Sequence, residues 1–434
     1  MTSGFNLETF SSHPGIFKPN IPPTIIDQCQ HQHPYTKILN NGEKVLVDPE
    51  TTTQRMMLIF YALANAGAFF AVGTTYAEKY IGYWLSFLLP GILYFLLPIL
   101  LLVLYKRTVK VEPKKDAYND LFSIIWIALK RNTWGMKRQG WGFALKKNTW
   151  KLGALNFWDG ARPSVMRKDG ITVYKGKPIK WTDTDVTDIQ RTFSACQIFL
   201  YFIIYIPNDG GIGSLLSAQG STLTTAGAPN DLLANLNPLI IVITAPLLSH
   251  FIYPFLNRHN IKFGRISRIT FGFTLAWISG LIGAFVQWRI YQTSPCGYAA
   301  TGCAIGDGVS PLSIWVQIPS VALAAISECF SIVTAYELAY ARSPKNMRGL
   351  TVSLLLLTNA CSSLLGIIVT PAIKDPYLVW IWATPAIAMA LLTAQFWWSY
   401  RSLNDDEYMT TKDVDLNELS EPTPAGDKIE VTKA

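Results

Sequence analysis

PLSIWVQIPSVALAAISECFSIVTAYELAY, residues 311–340, is long and apolar enough to cross a bilayer, and it carries Glu328 well inside it. A bilayer core is spanned by about 20 predominantly apolar residues in a helix. Seven more runs read the same way, at 56–77, 80–105, 192–208, 232–257, 269–288, 349–373 and 376–400. Eight spans make the chain an all-α polytopic membrane protein. A densely basic gap divides them two and six.

Composition supports that class. Apolar residues are 50% of the chain and charged residues 15%, against about 25% charged in soluble domains. The formal charge of +8 does not indicate nucleic acid. From Lys106 to Arg191 there are 19 Lys/Arg against 8 Asp/Glu, a local excess larger than that of the whole chain. Basic loops of membrane proteins stay in the cytoplasm. The short loops agree: Arg258, Lys262, Arg265 and Arg268 crowd one, and Arg342, Lys345 and Arg348 another. The alternate loops, 208–230 and 291–310, contain no basic residue.

These patterns divide the chain. Residues 1–50 are irregular, with no signal peptide. Residues 51–105 hold two spans and 106–190 form a basic cytoplasmic linker. Residues 191–400 hold six spans, and 401–434 read as a disordered acidic cytoplasmic tail, with nine acids against four basic residues. Within the linker, 117–131 reads as an amphipathic helix too short to cross, resting on the membrane surface or against the bundle's underside. Pro90 and Pro98 predict a bend in the second span. The third uncharged run ends at Pro207-Asn208-Asp209-Gly210-Gly211. Either the span ends there, or it is a broken helix lining a cavity.

Polar groups inside the spans carry the functional signal. A carboxylate near the bilayer centre costs about 2.5–3.5 kcal/mol on insertion scales. Desolvation favours its neutral form, which makes Glu328 a candidate proton carrier; a structural ion pair is the alternative. Glu337, near the basic loop, reads as a structural pair at the cytoplasmic mouth. Tyr61 and Asn65 share a helix face. Asn65 and Asn237 fit either an interhelical bond or a ligand contact. Lys18 reads as a solvated or snorkelling lysine, and His250 as a satisfied core group. Cys296 and Cys303 share one extracellular loop, where a disulfide and two free thiols both fit. No nucleotide loop, metal cluster or nucleophile with its base is present. The chain is therefore read as no enzyme and as needing no cofactor, which leaves secondary transport, a channel or a receptor.

Several segments resemble the proton-coupled oligopeptide transporter family, and within it the fungal peptide permeases of the major facilitator superfamily. FYALANAGAFF (60–70) resembles the fifth-helix signature, departing at Ala64. GIFKPNIPPTIIDQ (15–28) resembles the end of the fourth helix. FWDGARPS (157–164) and WTDTDVTDIQRTFSAC (181–196) resemble the fungal loop between helices 6 and 7. NDLLANLNPL (230–239) resembles the start of helix 8, and ISECFSIVTAYELAYARSPKNMRG (326–349) resembles helix 10.

The resemblance implies a partial major facilitator fold, with the eight spans as helices 5–12 and a remnant of helix 4 before them. It implies a proton-coupled symporter of di- and tripeptides in the plasma membrane. Glu328 would face the peptide's amino group and Asn237 would bond the same end. Tyr61 and Asn65 would contact the peptide backbone, and Lys18 and Glu328 would couple protons. The family's helix-1 motif E-x-x-E-R is not found in the chain, so the resemblance also implies an amino-terminally truncated transporter. The alternative is a non-transporting degenerate or regulatory protein, partnering an intact transporter.

Overall fold

A computed structural model describes residues 20–28, 35–38, 44–47, 49–106, 108, 121–130, 155–168, 170–171, 173–174, 177–209, 215–225, 233, 235–259, 261, 263–305, 308–341, 343 and 347–404. Among these residues, eight helices are long and apolar enough to cross a membrane. They are α1 (Thr52–Tyr80), α2 (Tyr83–Tyr105), α3 (Asp183–Asn208), α4 (Leu236–Leu256), α5 (Arg265–Thr293), α6 (Ile314–Ala341), α7 (Arg348–Ala372) and α8 (Leu378–Tyr400).

The helices are often longer than the apolar runs, because apolarity marks only what sits in lipid while caps and prolines mark where a helix stops. α3 shows this. It begins at Asp183, where Thr182 and Asp185 form a capping box: the Thr182 side chain accepts from the Asp185 amide at 3.3 Å, and the Asp185 carboxylate accepts from the Thr182 amide at 2.8 Å. α2 runs through Pro90 and Pro98 as one helix and buries none of its residues against protein.

The chain groups into two compact units, one drawn from 1–23, 110–200 and 339–356, the other from 24–109, 201–338 and 357–434. The first holds the described part of the basic linker from residue 121 onward. The short helix Leu121–Lys130 buries Leu121, Ile124, Ile127 and Ala128 against Phe157, Trp158, Trp181, Val186 and Ile189. Trp158 is fully enclosed, and the Trp181 indole donates to the Ala161 carbonyl at 3.1 Å. The segment FWDGARPS thus builds a small hydrophobic core. Arg348 stacks 3.8 Å from the ring centre of Tyr340 in the same unit.

The second unit is a helical bundle. Small residues let its helices approach closely. A Cβ on Gly272 of α5 would sit 2.8 Å from Ser331 Cβ and 2.9 Å from the Ser327 carbonyl of α6. A Cβ on Gly283 would sit 2.6 Å from the Trp382 ring of α8. Without lipid–water contrast between helices, such van der Waals contact is a main source of association. Phe202, Tyr205, Phe273 and Phe396 stack edge-on between α3, α5 and α8.

α3 does not end the crossing at Asn208. Tyr205 hydrogen-bonds Ser327 at 2.8 Å, and after the break the short helix Leu215–Gly220 brings Gln219 to Gln317 at 2.9 Å. Along α6 those contacts are ten residues apart, about 15 Å. The chain therefore continues across the bundle beyond the break. Of the two arrangements compatible with the sequence, the broken helix is the one formed. Pro207 starts the break because it lacks an N–H. Asn208 compensates by donating to the Ile204 carbonyl at 2.9 Å and the Pro385 carbonyl of α8 at 3.1 Å.

On the loops at the other end, Cys296 and Cys303 are joined in a disulfide with Cα atoms 5.8 Å apart. Gly308 takes φ +70° there, and a Cβ would meet the Cys303 carbonyl at 2.7 Å. Asp375 accepts from the Tyr291 hydroxyl and the Thr301 amide, both at 2.6 Å.

Candidate functional site

Glu328 lies at the middle of α6, and three other segments bring polar groups to it. The Tyr61 hydroxyl from α1 donates to one carboxylate oxygen. The Asn237 amide from the first turn of α4 donates to the other at 2.7 Å. The Asp209 carboxyl, at the break in α3, lies beside it, close enough for the two acids to interact. The apolar frame is Ile241, Leu248, Ala325, Cys329 and Phe330, with Tyr61 packed against it.

Local sequence explains each position. Asn237 precedes Pro238 at the start of α4, where a first-turn proline is tolerated because that N–H has no helical partner. α4 then passes Pro246 and continues as a π-helical turn at Leu248–Ile252. Such a bulge is the expected answer to an internal proline. His250 sits in it, its Nδ1 2.7 Å from Ser249 Oγ and 3.1 Å from the Pro246 carbonyl oxygen, locally satisfied but exposed rather than in the core.

Asp209 is the residue that sequence reasoning missed as a site member. The break was legible, but the acid was read as part of a loop. Its signal was an aspartate directly after an uncharged run and directly before two glycines. Its Oδ1 is buried and has no hydrogen-bond partner among the described residues.

Tyr61, Asn237 and Glu328 are thus brought together. Asn65 is not drawn to the carboxylate: its amide donates to the Tyr61 backbone carbonyl at 2.9 Å, one turn back on its own helix. Lys18 lies outside the described residues, as does the tail from 405 onward.

The charge balance gives the site its chemistry. Among the described residues, none of the groups bonded to Glu328 carries a positive charge. Two neighbouring buried carboxyls disfavour each other's ionisation. A second negative charge at such a site needs a proton or a cation from elsewhere, and a ligand ammonium fits that need. The cluster can therefore hold a proton, an amine, or each in turn.

Glu337 behaves differently. It is fully buried and accepts from Arg265 Nε at 2.8 Å, Arg268 Nη1 at 2.9 Å and Arg268 Nη2 at 3.2 Å. A structural pair forms, with Arg265 and Arg268 of α5; Arg342 and Lys345, beside which the sequence placed it, lie outside the described residues. Arg268 also lies 5.6 Å from the Tyr253 ring centre. The Glu337 charge is neutralised where it stands.

A model of the POT family matches residues 14–388. The chain is 52% identical over 400 residues to the MFS-type transporter ucsM of Acremonium sp, covering 92% of this chain and 63% of that protein. It is 36% identical over 410 residues to the peptide transporter PTR2 of Candida albicans, again covering 92% and 63%. The chain thus spans about 63% of the length of these curated relatives. Among solved structures, the POT family transporter PepTSo matches with a TM-score of 0.56 at 20% identity, over 89% of this chain and 76% of that one. An auto-inhibited POT family peptide transporter matches at 0.54 and 18% identity, over 90% and 74%. At these identities the likeness is one of fold.

Proposed function

The chain belongs to the POT family, and on that footing we propose that it serves proton-coupled symport of di- and tripeptides. The observation that carries this reading is the Glu328 carboxylate at mid-membrane, held by neutral donors from α1 and α4 with a second carboxyl beside it. Glu328 takes the peptide's amino group when ionised and a proton when empty. Asn237 and Tyr61 orient its two oxygens, so that both are aimed before the ligand arrives. Asp209 supplies the second proton-accepting carboxyl. Asn65, one turn from Tyr61, lines the approach, and by the resemblance Lys18 would serve proton coupling and the peptide's carboxylate. Binding at both ends of a short zwitterion selects backbone length rather than side chains. The alternation would be a rocking of helices about this midplane group. The plasma membrane is the family default, and the basic loops support a cytoplasmic side for the loop 106–190 and the tail.

A second reading is transport of another amine-bearing solute. The 52% identical relative carries the name of a transporter without a stated peptide substrate. The same carboxylate would serve any primary amine.

Uptake of a labelled dipeptide separates these readings, using cells devoid of their own peptide carriers. Proton-dependent uptake that Glu328→Gln abolishes supports symport. Absence of uptake with the chain present at the surface rules it out. Uptake of a labelled amine that dipeptides do not inhibit favours the second reading.

A further inference from the structure

The helix Leu121–Lys130 has two apolar faces. One, with Leu121, Ile124 and Ala128, is buried in the core around Trp158. The other carries Phe122, Trp126 and Leu129, spaced i, i+4 and i+7 on one side of the helix. Phe122 is 70% exposed and Trp126 59%. A solvated helix gains nothing from an aromatic stripe on its outer face, so the stripe marks a contact surface. Its ten residues are too short to cross a bilayer.

We propose that this face docks the cytoplasmic unit onto the anionic lipid headgroups of the bilayer, with Phe122, Trp126 and Leu129 at the interfacial depth. Three features select lipid as the occupant. Tryptophan and phenylalanine suit the interface, where an apolar ring meets a wet boundary. From Lys106 to Lys147 the sequence around the helix has eleven Lys/Arg and three Asp/Glu. Near an anionic leaflet each such cation adds about 1 kcal/mol, whereas a second copy of the same basic segment is repelled. Finally, only residues 106–120 separate the helix from the end of α2, a tether of at most about 50 Å. The helix therefore stays within reach of the membrane that α2 crosses. The inference needs the linker to be cytoplasmic and is independent of what the chain transports.

Spin labels on the full chain in nanodiscs test it. Cys29, Cys196, Cys329 and Cys361 are replaced by alanine, and a nitroxide is placed at Phe122→Cys, at Trp126→Cys or, as an aqueous reference, at Ser164→Cys. In discs of phosphatidylcholine with phosphatidylserine, labels at 122 and 126 are expected to collide several-fold more with oxygen than with a water-soluble nickel complex, relative to 164. The ratio should fall when phosphatidylserine is left out. A nickel accessibility equal to that at 164 overturns the proposal. Spin–spin broadening between chains puts a second copy on the face and also overturns it. A label shielded from both reagents, showing burial against protein, does the same. Since labels replace exposed side chains, folding of the linker core is preserved.

Discussion

Tyr61 and Glu328 stand 267 residues apart in the chain and share a hydrogen bond, phenol to carboxylate. That bond ties α1 to α6 at the one acid in α6 whose described partners carry no positive charge. Glu337, nine residues along the same helix, is held by two arginines. The contrast separates a group available for a ligand cation from one that holds helices together.

Glu328→Gln keeps the size of the side chain and removes its charge. Binding of a dipeptide, read by isothermal titration or by peptide-induced thermal shift, should weaken by about 10- to 100-fold, as expected for a charge-assisted bond of about 1.5–3 kcal/mol. The unmodified chain should discriminate strongly against an N-acetylated dipeptide, and the variant should not. Equal discrimination in both would remove Glu328 from amine recognition.

Asp209→Asn replaces the second carboxyl by an amide that can donate to Glu328 without a proton. Peptide binding should persist while its pH dependence becomes shallower, because one fewer proton is exchanged at the cluster. The slope of log affinity against pH is the readout. An unchanged slope would mean that Asp209 takes no part in proton exchange.

Glu337→Ala leaves Arg268 buried without its partner. Removing one member of a buried pair costs about 3–5 kcal/mol. A large drop in the melting temperature of the purified chain is expected. The double change Arg268→Met with Glu337→Leu should recover much of it, because neither charge then remains. Failure of the double change to recover would point to a role beyond the pair.

Gly283→Ala forces a methyl into the Trp382 ring, where the gap is 2.6 Å. Overpacking of this kind costs about 1–3 kcal/mol. In the Trp382→Leu background the same alanine should be nearly neutral, and thermal melts of the four proteins close the cycle.

Cysteine reactivity checks the loop geometry. Cys296 and Cys303 should resist an impermeant maleimide until a reductant is added. Cys329, enclosed by α4 and α6 side chains, should stay unlabelled in both conditions.

Much of the fold was legible in the residues. Helices that span lipid carry few charges, so eight apolar runs nearly free of charge marked eight candidate crossings without any knowledge of contacts. The cost of an acid in lipid likewise singled out Glu328 before its partners were known. Helix ends were less legible. The start of α3 depends on the Thr182–Asp185 cap rather than on apolarity. Its break showed in Pro207 and the glycines, yet whether the chain went on required the contacts of Gln219.

The sequence by itself determined which segments are fit to cross a membrane, where the basic residues cluster along the chain and which acid is expensive. Hydropathy and charge are properties of each residue in its solvent, so they can be read one segment at a time. The tertiary structure alone decided which groups meet: Asn237 and Tyr61 at Glu328, Asp209 beside them, Asn65 turned back to its own helix, and Glu337 held by Arg265 and Arg268. Partners from four separate helices become neighbours only when packing fixes rotation and depth, and no spacing within one segment encodes that.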